Sequence, residues 1–260
     1  MPTQQATQPD AILTPAIRLR RNQERGFEDF GWTDNYLTFS FAGYRDPVWN
    51  NFGPLRVMIE NHIQPRSGFP RHPHRDAEIV TYVAAGTLTH RDNMGHQAAI
   101  TAGEMQHISA GSRGIVHSEE NVDDVIEHNY QMWLIPDRPG TAAAYHQLKF
   151  APEERQGRFR LYVSRDGEDG SMPINTDARI YAGLFSPGDC VLHSLESGWG
   201  AWIQMVRGDL RVAAPGLDQI DLHPGDGVGI TNANDLDIQF DTESEVLLFD
   251  VCMDAPLLWR

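Results

Sequence analysis

The stretch GFPRHPHRDAEIVTYVAAG, residues 68–86, holds two histidines, His72 and His74, on either side of Pro73, followed by the strand-like run AEIVTYV over 77–83. Side chains on a β-strand alternate between faces, so residues two apart point the same way. His72 and His74 therefore share a face. Further along, AGSRGIVHSEEN (110–121) holds a second pair of this form, His117 and Glu119, around Ser118. If two strands bring the pairs together, three imidazoles and one carboxylate converge. That donor set suits a divalent transition metal and differs from the thiolate-rich sets of structural zinc sites. Each pair follows a glycine-rich approach, at Gly68 and at Gly111 to Gly114, where tight turns and close backbone passage are allowed. Pro73 lacks an amide donor, which puts its strand at a sheet edge or a strand end. Glu78 has the parity of both histidines on a regular strand and is read as a group that orients one imidazole in preference to a fifth ligand. A single His-x-His is ordinarily a polar surface feature, and the chain has 11 histidines. The conjunction of two same-face pairs carries the metal reading. His62 and His128 are candidates for the wall of a pocket. His90, His96, His107, His146, His193 and His223 are assigned to the surface or to satisfied core contacts.

The rest of the chain reads mostly as strand. TFSFA (38–42), PLRVMI (54–59), AAIT (98–101), YQMWLI (130–135), RLYVS (160–164), AWIQMV (201–206) and EVLLFDV (245–251) are short, rich in aromatic and β-branched residues, and bounded by turn formers. Asp92 to Gly95 reads as a hairpin turn. Residues 141–156 are expected to hold a short helix where the chain passes between halves. An internal repeat pairs YVAAGTLTHRDNMGHQAAITAGEMQHI (82–108) with QMVRGDLRVAAPGLDQIDLHPGDGVGI (204–230), with Gly86 on Gly208, Leu88 on Leu210, Gly103 on Gly225 and Ile108 on Ile230. Carried across, the four candidate ligands fall on Ser194, Glu196, Gln239 and Asp241, or on Ile238 and Phe240 for the last two if the extra residue near Ser112 is removed; neither set is a metal site, so the second copy is expected to lack one.

The net charge of −15, with no basic run, argues against direct binding of nucleic acid or anionic membranes. It leaves room for a protein partner. Two cysteines, Cys190 and Cys252, give no disulfide framework. No apolar run approaches the length of a membrane span, and a cytoplasmic location is expected.

The two motif stretches, with GEMQ (103–106), RGFEDFGWTDNYLTFSFAGYRDP (25–47) and FGPLRV (52–57), resemble the pirin family, and EVLLFDV (245–251) resembles its bacterial branch. The resemblance covers nearly the whole chain and is densest over 20–136. It implies an all-β bicupin of two jelly-roll barrels packed face to face: a flexible tail over 1–15, an N-terminal barrel over 16–140 with one metal, and a C-terminal barrel over 141–260 without one. It implies His72, His74, His117 and Glu119 as ligands, the same four that strand parity selects. Fe(II) is the expected ion, with Zn, Mn, Ni, Cu or Co as alternatives. Bacterial relatives are associated with quercetin 2,3-dioxygenase activity, and eukaryotic ones with iron and nuclear co-regulation of transcription. The four-ligand site together with the resemblance leads to the expectation of a metal-dependent dioxygenase that takes a small aromatic substrate and dioxygen and opens the heterocycle of a flavonol such as quercetin with release of carbon monoxide, with Glu119 as general base. Phe39, Phe41, Phe52, Ile115 and Met132 are the expected apolar pocket wall. The alternative is a metal-binding regulator acting through protein partners without turnover. Leu37 stands where many relatives have histidine, which alters the expected pocket, and the Gly111 to Gly114 turn is one residue longer than usual.

Overall fold

The computed structural model describes residues 15–259, so the tail expected over 1–15 lies, apart from Pro15, outside the described residues. The first half supplies β1 (Ala16–Arg20), β2 (Gly26–Asp29), β3 (Thr33–Leu37), β4 (Leu55–Ile63), β5 (Ser67–His74), β6 (Glu78–Ala85), β7 (Thr87–Asp92), β8 (Gln97–Thr101), β9 (Glu104–Ser109), β10 (Ile115–Asn121), β11 (Glu127–Leu134) and β12 (Ala144–Lys149). The second supplies β13 (Arg158–Ser164), β14 (Met172–Pro173), β15 (Ala178–Phe185), β16 (Cys190–Ser194), β17 (Trp199–Arg207), β18 (Leu210–Ala214), β19 (Leu217–Leu222), β20 (Gly227–Thr231), β21 (Asp235–Phe240) and β22 (Ser244–Cys252). Each half is a sandwich of a seven-stranded and a four-stranded sheet. The orders are β12-β9-β6-β11-β4-β3-β2 over β5-β10-β7-β8, and β1-β20-β17-β22-β15-β13-β14 over β16-β21-β18-β19. These are two jelly-roll-type barrels, and the fold is all-β.

The repeat read in the sequence maps strand for strand: β6 to β9 correspond to β17 to β20. Gly86 and Gly208 both carry positive φ, 77° and 83°, as do Gly103 and Gly225, 79° and 82°. These turns need a residue without a β-carbon. The expected division at residue 140 is crossed twice. β1 pairs with β20 of the second barrel, and β12 pairs with β9 of the first. Each barrel thus completes its seven-stranded sheet with a strand that belongs, by sequence order, to the other half. The helix expected over 141–156 is instead β12 and a single 3-10 turn, Pro152–Glu154. The open edge of β9 offers a full ladder of hydrogen bonds, which outweighs the helix propensity of a short alanine-rich run. The strand expected over 38–42 is displaced to β3, just upstream.

The outer faces of the two seven-stranded sheets pack on each other. Met58, Val80, Tyr82, Tyr130 and Met132 of the first barrel meet Tyr162, Ile180, Trp202, Leu247 and Phe249 of the second. Trp202 is fully buried, with the rings of Phe39 and Phe52 centred 5.1 and 5.7 Å away. Phe52 lies where β-carbons on Gly200 and Gly229 would stand, 2.9 and 2.6 Å from its ring atoms. The interior of the second barrel is filled by Phe185, Ile203, Met205, Leu236, Phe240 and Val246. The first barrel's interior is broken into small apolar groups, one of them Ala77, Ile79, Ile108, Ala110 and Ile115, which leave room for polar side chains.

Two arginines fasten the interface in matching ways. Arg25, just before β2, pairs with Glu60 at 2.6 Å and crowds Gly225 of the second barrel. Arg155, just before β13, pairs with Glu245 at 3.3 Å, donates to the Tyr82 hydroxyl, and crowds Gly103 of the first barrel. The Tyr82 hydroxyl in turn donates to Glu245. Glu245 keeps Arg207 at 3.0 Å when Arg155 is removed, so Arg155→Ala, which takes away one buried partner, is expected to cost about 1–3 kcal/mol in denaturant unfolding. Arg211→Ala, which removes an exposed pair with Asp241, is expected to leave the unfolding midpoint unchanged.

Candidate metal centre

β5 and β10 run antiparallel at the open side of the first barrel, and their register sets His117 opposite His72 and Ile115 opposite His74. β5 is the outer strand of its sheet, so the missing amide of Pro73 leaves no ladder bond unmade. A register shift between His117 and Glu119 turns β10 locally. The long glycine turn ends at Gly114 and β10 starts at Ile115, so the extra residue leaves the His117–Glu119 spacing intact. Gly68 is essential to this pairing: a β-carbon there would lie 2.4 Å from the backbone oxygen of Glu119.

The donor atoms of His72, His74 and His117 all lie within 4.8 Å of one another. His72 Nε2 and His117 Nε2 are 3.0 Å apart, and His72 Nδ1 is held 2.7 Å from the Pro70 carbonyl. His74 and His117 are buried. Burial, together with the neighbouring imidazoles, holds each of them down to about 3, so both are neutral at pH 7 with lone pairs available. Glu119 is buried on the adjoining side. Its Oε2 accepts from the Gln131 amide at 2.8 Å, and the Gln131 carbonyl accepts from the Trp133 indole at 3.0 Å. Two buried atoms aimed into this space, His74 Nε2 and Glu119 Oε1, have no hydrogen-bond partner. A bound cation would satisfy both.

His72, His74, Glu119 and Gln131 line a cavity of about 430 Å³ with Leu37, Phe41, Ile59, Phe69 and Trp133 in its walls, Phe30 at its rim, and Asn35 and Asn61 as polar points; His117 lies behind this lining. A larger cleft of about 790 Å³ between the barrels contains no histidine. Of the five residues expected as pocket wall, Phe41 lines the cavity. Phe39, Phe52 and Met132 do not: they face the other way, into the core between the barrels. Ile115 packs in the small apolar group beside the site. The error is one of parity. Met132 and Trp133 are neighbours on β11, and Trp133 is the one that points inward.

Glu78 is also displaced from its expected role. β5 ends at His74, and Glu78 opens β6 in the facing sheet, so parity does not carry across the break. Its carboxylate accepts from His107 Nε2 at 2.7 Å, Ser109 at 2.8 Å and Asn175 at 3.0 Å, tying the barrels together away from the site. His62 and His128, considered for the pocket, lie on the opposite face of their sheet. His90, assigned to surface or core, is fully buried on β7 directly across from Glu119, its ring centred 5.2 Å from that of His117. Asp92 holds it at 3.2 Å. The alternation of Leu88, His90 and Asp92 carried that signal, since Leu88 marks the inner face. Of the residues that the repeat offset selects, Ser194 bonds Asp235, Glu196 pairs with Arg179, Gln239 bonds Asp237 and Asp241 pairs with Arg211; the register of β21 on β18 instead sets Ile238 across from Val212, the place that Glu119 takes across from His90.

Glu127 lies deeper in the same interior. It is buried, accepts from the Asn129 amide at 2.7 Å through Oε2, and leaves Oε1 unpartnered. Burial, opposed by that hydrogen bond and reinforced by the charge of Glu119, pushes its carboxyl up to about 8. The folded protein therefore keeps a proton that the unfolded chain, titrating near 4.5, has released. The stability this proton contributes is lost as pH rises through that window. In metal-free protein, Glu127→Gln is expected to gain on the parent by about 1.4 kcal/mol per pH unit between those limits, measured by denaturant unfolding. Parallel stability curves would show Glu127 ionised in the fold. Gly68→Ala is expected to push β5 off β10 and weaken metal binding about tenfold or more, read by competition with a chromophoric chelator.

Two family models match the chain: one described as Pirin over residues 18–134 and one described as the quercetinase C-terminal cupin domain over residues 161–251. Quercetin 2,3-dioxygenase of Escherichia coli K12 is 38% identical over 236 residues, covering 90% of this chain and 98% of the relative. A pirin-like protein of Caulobacter vibrioides is 34% identical over 226 residues, covering 86% of this chain and 95% of the relative. The crystal structure of the bacterial pirin YhhW from Escherichia coli in complex with nickel(II) matches with a TM-score of 0.84 at 37% identity, over 91% of this chain and 99% of that one. With both halves matched in order and nearly the full length aligned, the chain belongs to the pirin family.

Proposed function

We propose that this chain is a metal-dependent dioxygenase that opens the heterocycle of a flavonol such as quercetin with release of carbon monoxide. The observation that supports the reading is the grouping of His72, His74 and His117, with Glu119 joined to the same His117 in a second group completed by His90, and two buried donor atoms, His74 Nε2 and Glu119 Oε1, left unpartnered beside an apolar pocket. The names of the similar proteins point the same way: quercetin 2,3-dioxygenase for the Escherichia coli relative and a nickel(II) complex for the YhhW structure.

In this reading His72, His74, His117 and Glu119 hold one divalent transition metal. Imidazole and carboxylate donors accept Fe(II), Ni(II) and their neighbours alike. The ion, when bound, supplies open positions and Lewis acidity for an enolate and for dioxygen. The protein's own residues do the rest. Trp133 and Gln131 fix Glu119 through Oε2 and leave Oε1 free. Glu119 takes the proton of the substrate 3-hydroxyl as general base. Leu37, Phe41, Ile59, Phe69 and Trp133 clasp a flat ring system and exclude water, and Asn35 and Asn61 offer hydrogen bonds to its outer hydroxyls. Leu37, where many relatives have histidine, makes this wall more apolar.

Metal-loaded protein incubated with quercetin in air is expected to bleach the flavonol band and release carbon monoxide in proportion. Bleaching without carbon monoxide above a metal-only control would overturn the reading. His74→Ala is expected to abolish turnover with loss of bound metal. Glu119→Gln is expected to retain metal on three imidazoles and lose turnover about a hundredfold or more, and full turnover in that variant would remove Glu119 from proton transfer.

A further inference from the structure

The same strands that line the pocket carry a second convergence of ligating groups on their other face. Register sets His128 on β11 directly across from His62 on β4, and Asp34 on β3 across from His62 on the other side. Glu60 stands two residues before His62 and so on the same face. The donor atoms of Glu60, His62 and His128 all lie within 4.8 Å of one another. His128 Nε2 is 2.8 Å from Glu60 Oε1, and His62 Nε2 is 3.8 Å from the same oxygen.

We propose that Glu60, His62 and His128 form a second divalent-cation site, for a borderline ion such as Zn(II) or Ni(II), at the rim of the interface between the barrels. Two imidazoles and a carboxylate are a recurrent donor set for such ions, with water completing the shell. The side chains of His62 and His128 are 32% and 19% exposed, enough to admit an ion and its waters. Glu60 is already charged: burial pushes its carboxyl up, but the hydrogen bond from His128 and the charge of Arg25 outweigh it and hold the group at about 2. Arg25 takes Oε2 at 2.6 Å and leaves Oε1 turned toward both imidazoles, as outer hydrogen bonds to a ligating carboxylate do. Its positive charge opposes a cation. Asp34, across from His62 on β3, offsets that opposition. Burial and the charge of His128 hold His62 below its ordinary value, which favours the free lone pair. The two rings stack at 4.3 Å and 26°, so their lone pairs run side by side and one ring must turn for both to meet an ion. His62 is the more exposed of the two rings; its approach to Glu60 is long, and it stacks on His128 and meets Tyr36 edge-on at 5.9 Å.

The test uses Zn(II) as probe on metal-stripped full-length protein. Calorimetric titration and elemental analysis after desalting are expected to give two ions per wild-type chain and one in the His72→Ala/His74→Ala variant. Adding His62→Ala to that variant is expected to remove the remaining ion and to abolish the rise in melting midpoint that Zn(II) otherwise produces. In the wild-type background, His62→Ala and, separately, His128→Gln are each expected to lower the count from two to one. An unchanged midpoint without metal shows that the fold is intact. A single ion in the wild type, or a second ion that survives both His62→Ala and His128→Gln, would overturn the proposal.

Discussion

The antiparallel contact of β5 with β10 is the constraint on which the site depends. It sets His72 beside His117, puts Pro73 on an edge that needs no donor, and tolerates no β-carbon at Gly68. All four candidate ligands sit on these two strands. The rest of the first barrel exists around that contact: β7 backs it with His90 and Asp92, and β11 supplies the indole–amide relay that aims Glu119. Such a support shell matters because a donor misplaced by about 1 Å binds and reacts poorly.

The two barrels share one plan and differ in what fills them. The interior of the second is packed with apolar side chains. The first gives up part of that packing to asparagine, glutamine, glutamate and histidine. Glu127, Asn129 and Asn61 form a buried polar row whose outer members keep unpartnered atoms. Such rows lower stability, and here the core between the barrels and the paired arginine clamps offset the loss.

Much of this was legible in the sequence because it rests on period-two alternation. The ligand pairs, the edge position of Pro73, the close approach at Gly68 and the register of the repeat from Gly86 to Ile108 follow from local rules. What was missed crosses a break or depends on which face is inside. Glu78 was assigned by parity across a loop where the chain changes sheets. Met132 reads as pocket wall although its neighbour Trp133 holds that place, because in β11 the polar side chains Glu127, Asn129 and Gln131 face the barrel interior and the apolar set Tyr130, Met132 and Leu134 faces the other barrel, the reverse of the usual rule. The destinations of β1 and β12 were hidden for another reason. An edge strand is recruited by the sheet that lacks one, and nothing in AIRLR or AYHQLK names its partner.

The swap of those two strands interlocks the halves topologically. A chain cut near residue 140 would give one fragment with β1 unmated and another with β12 unmated, each beside a seven-stranded sheet reduced to six with a bare row of amides and carbonyls. The pair therefore behaves as a single cooperative body rather than two beads on a string. The exchange ties the integrity of each barrel to the other, so the second barrel has a place in the fold whatever it binds.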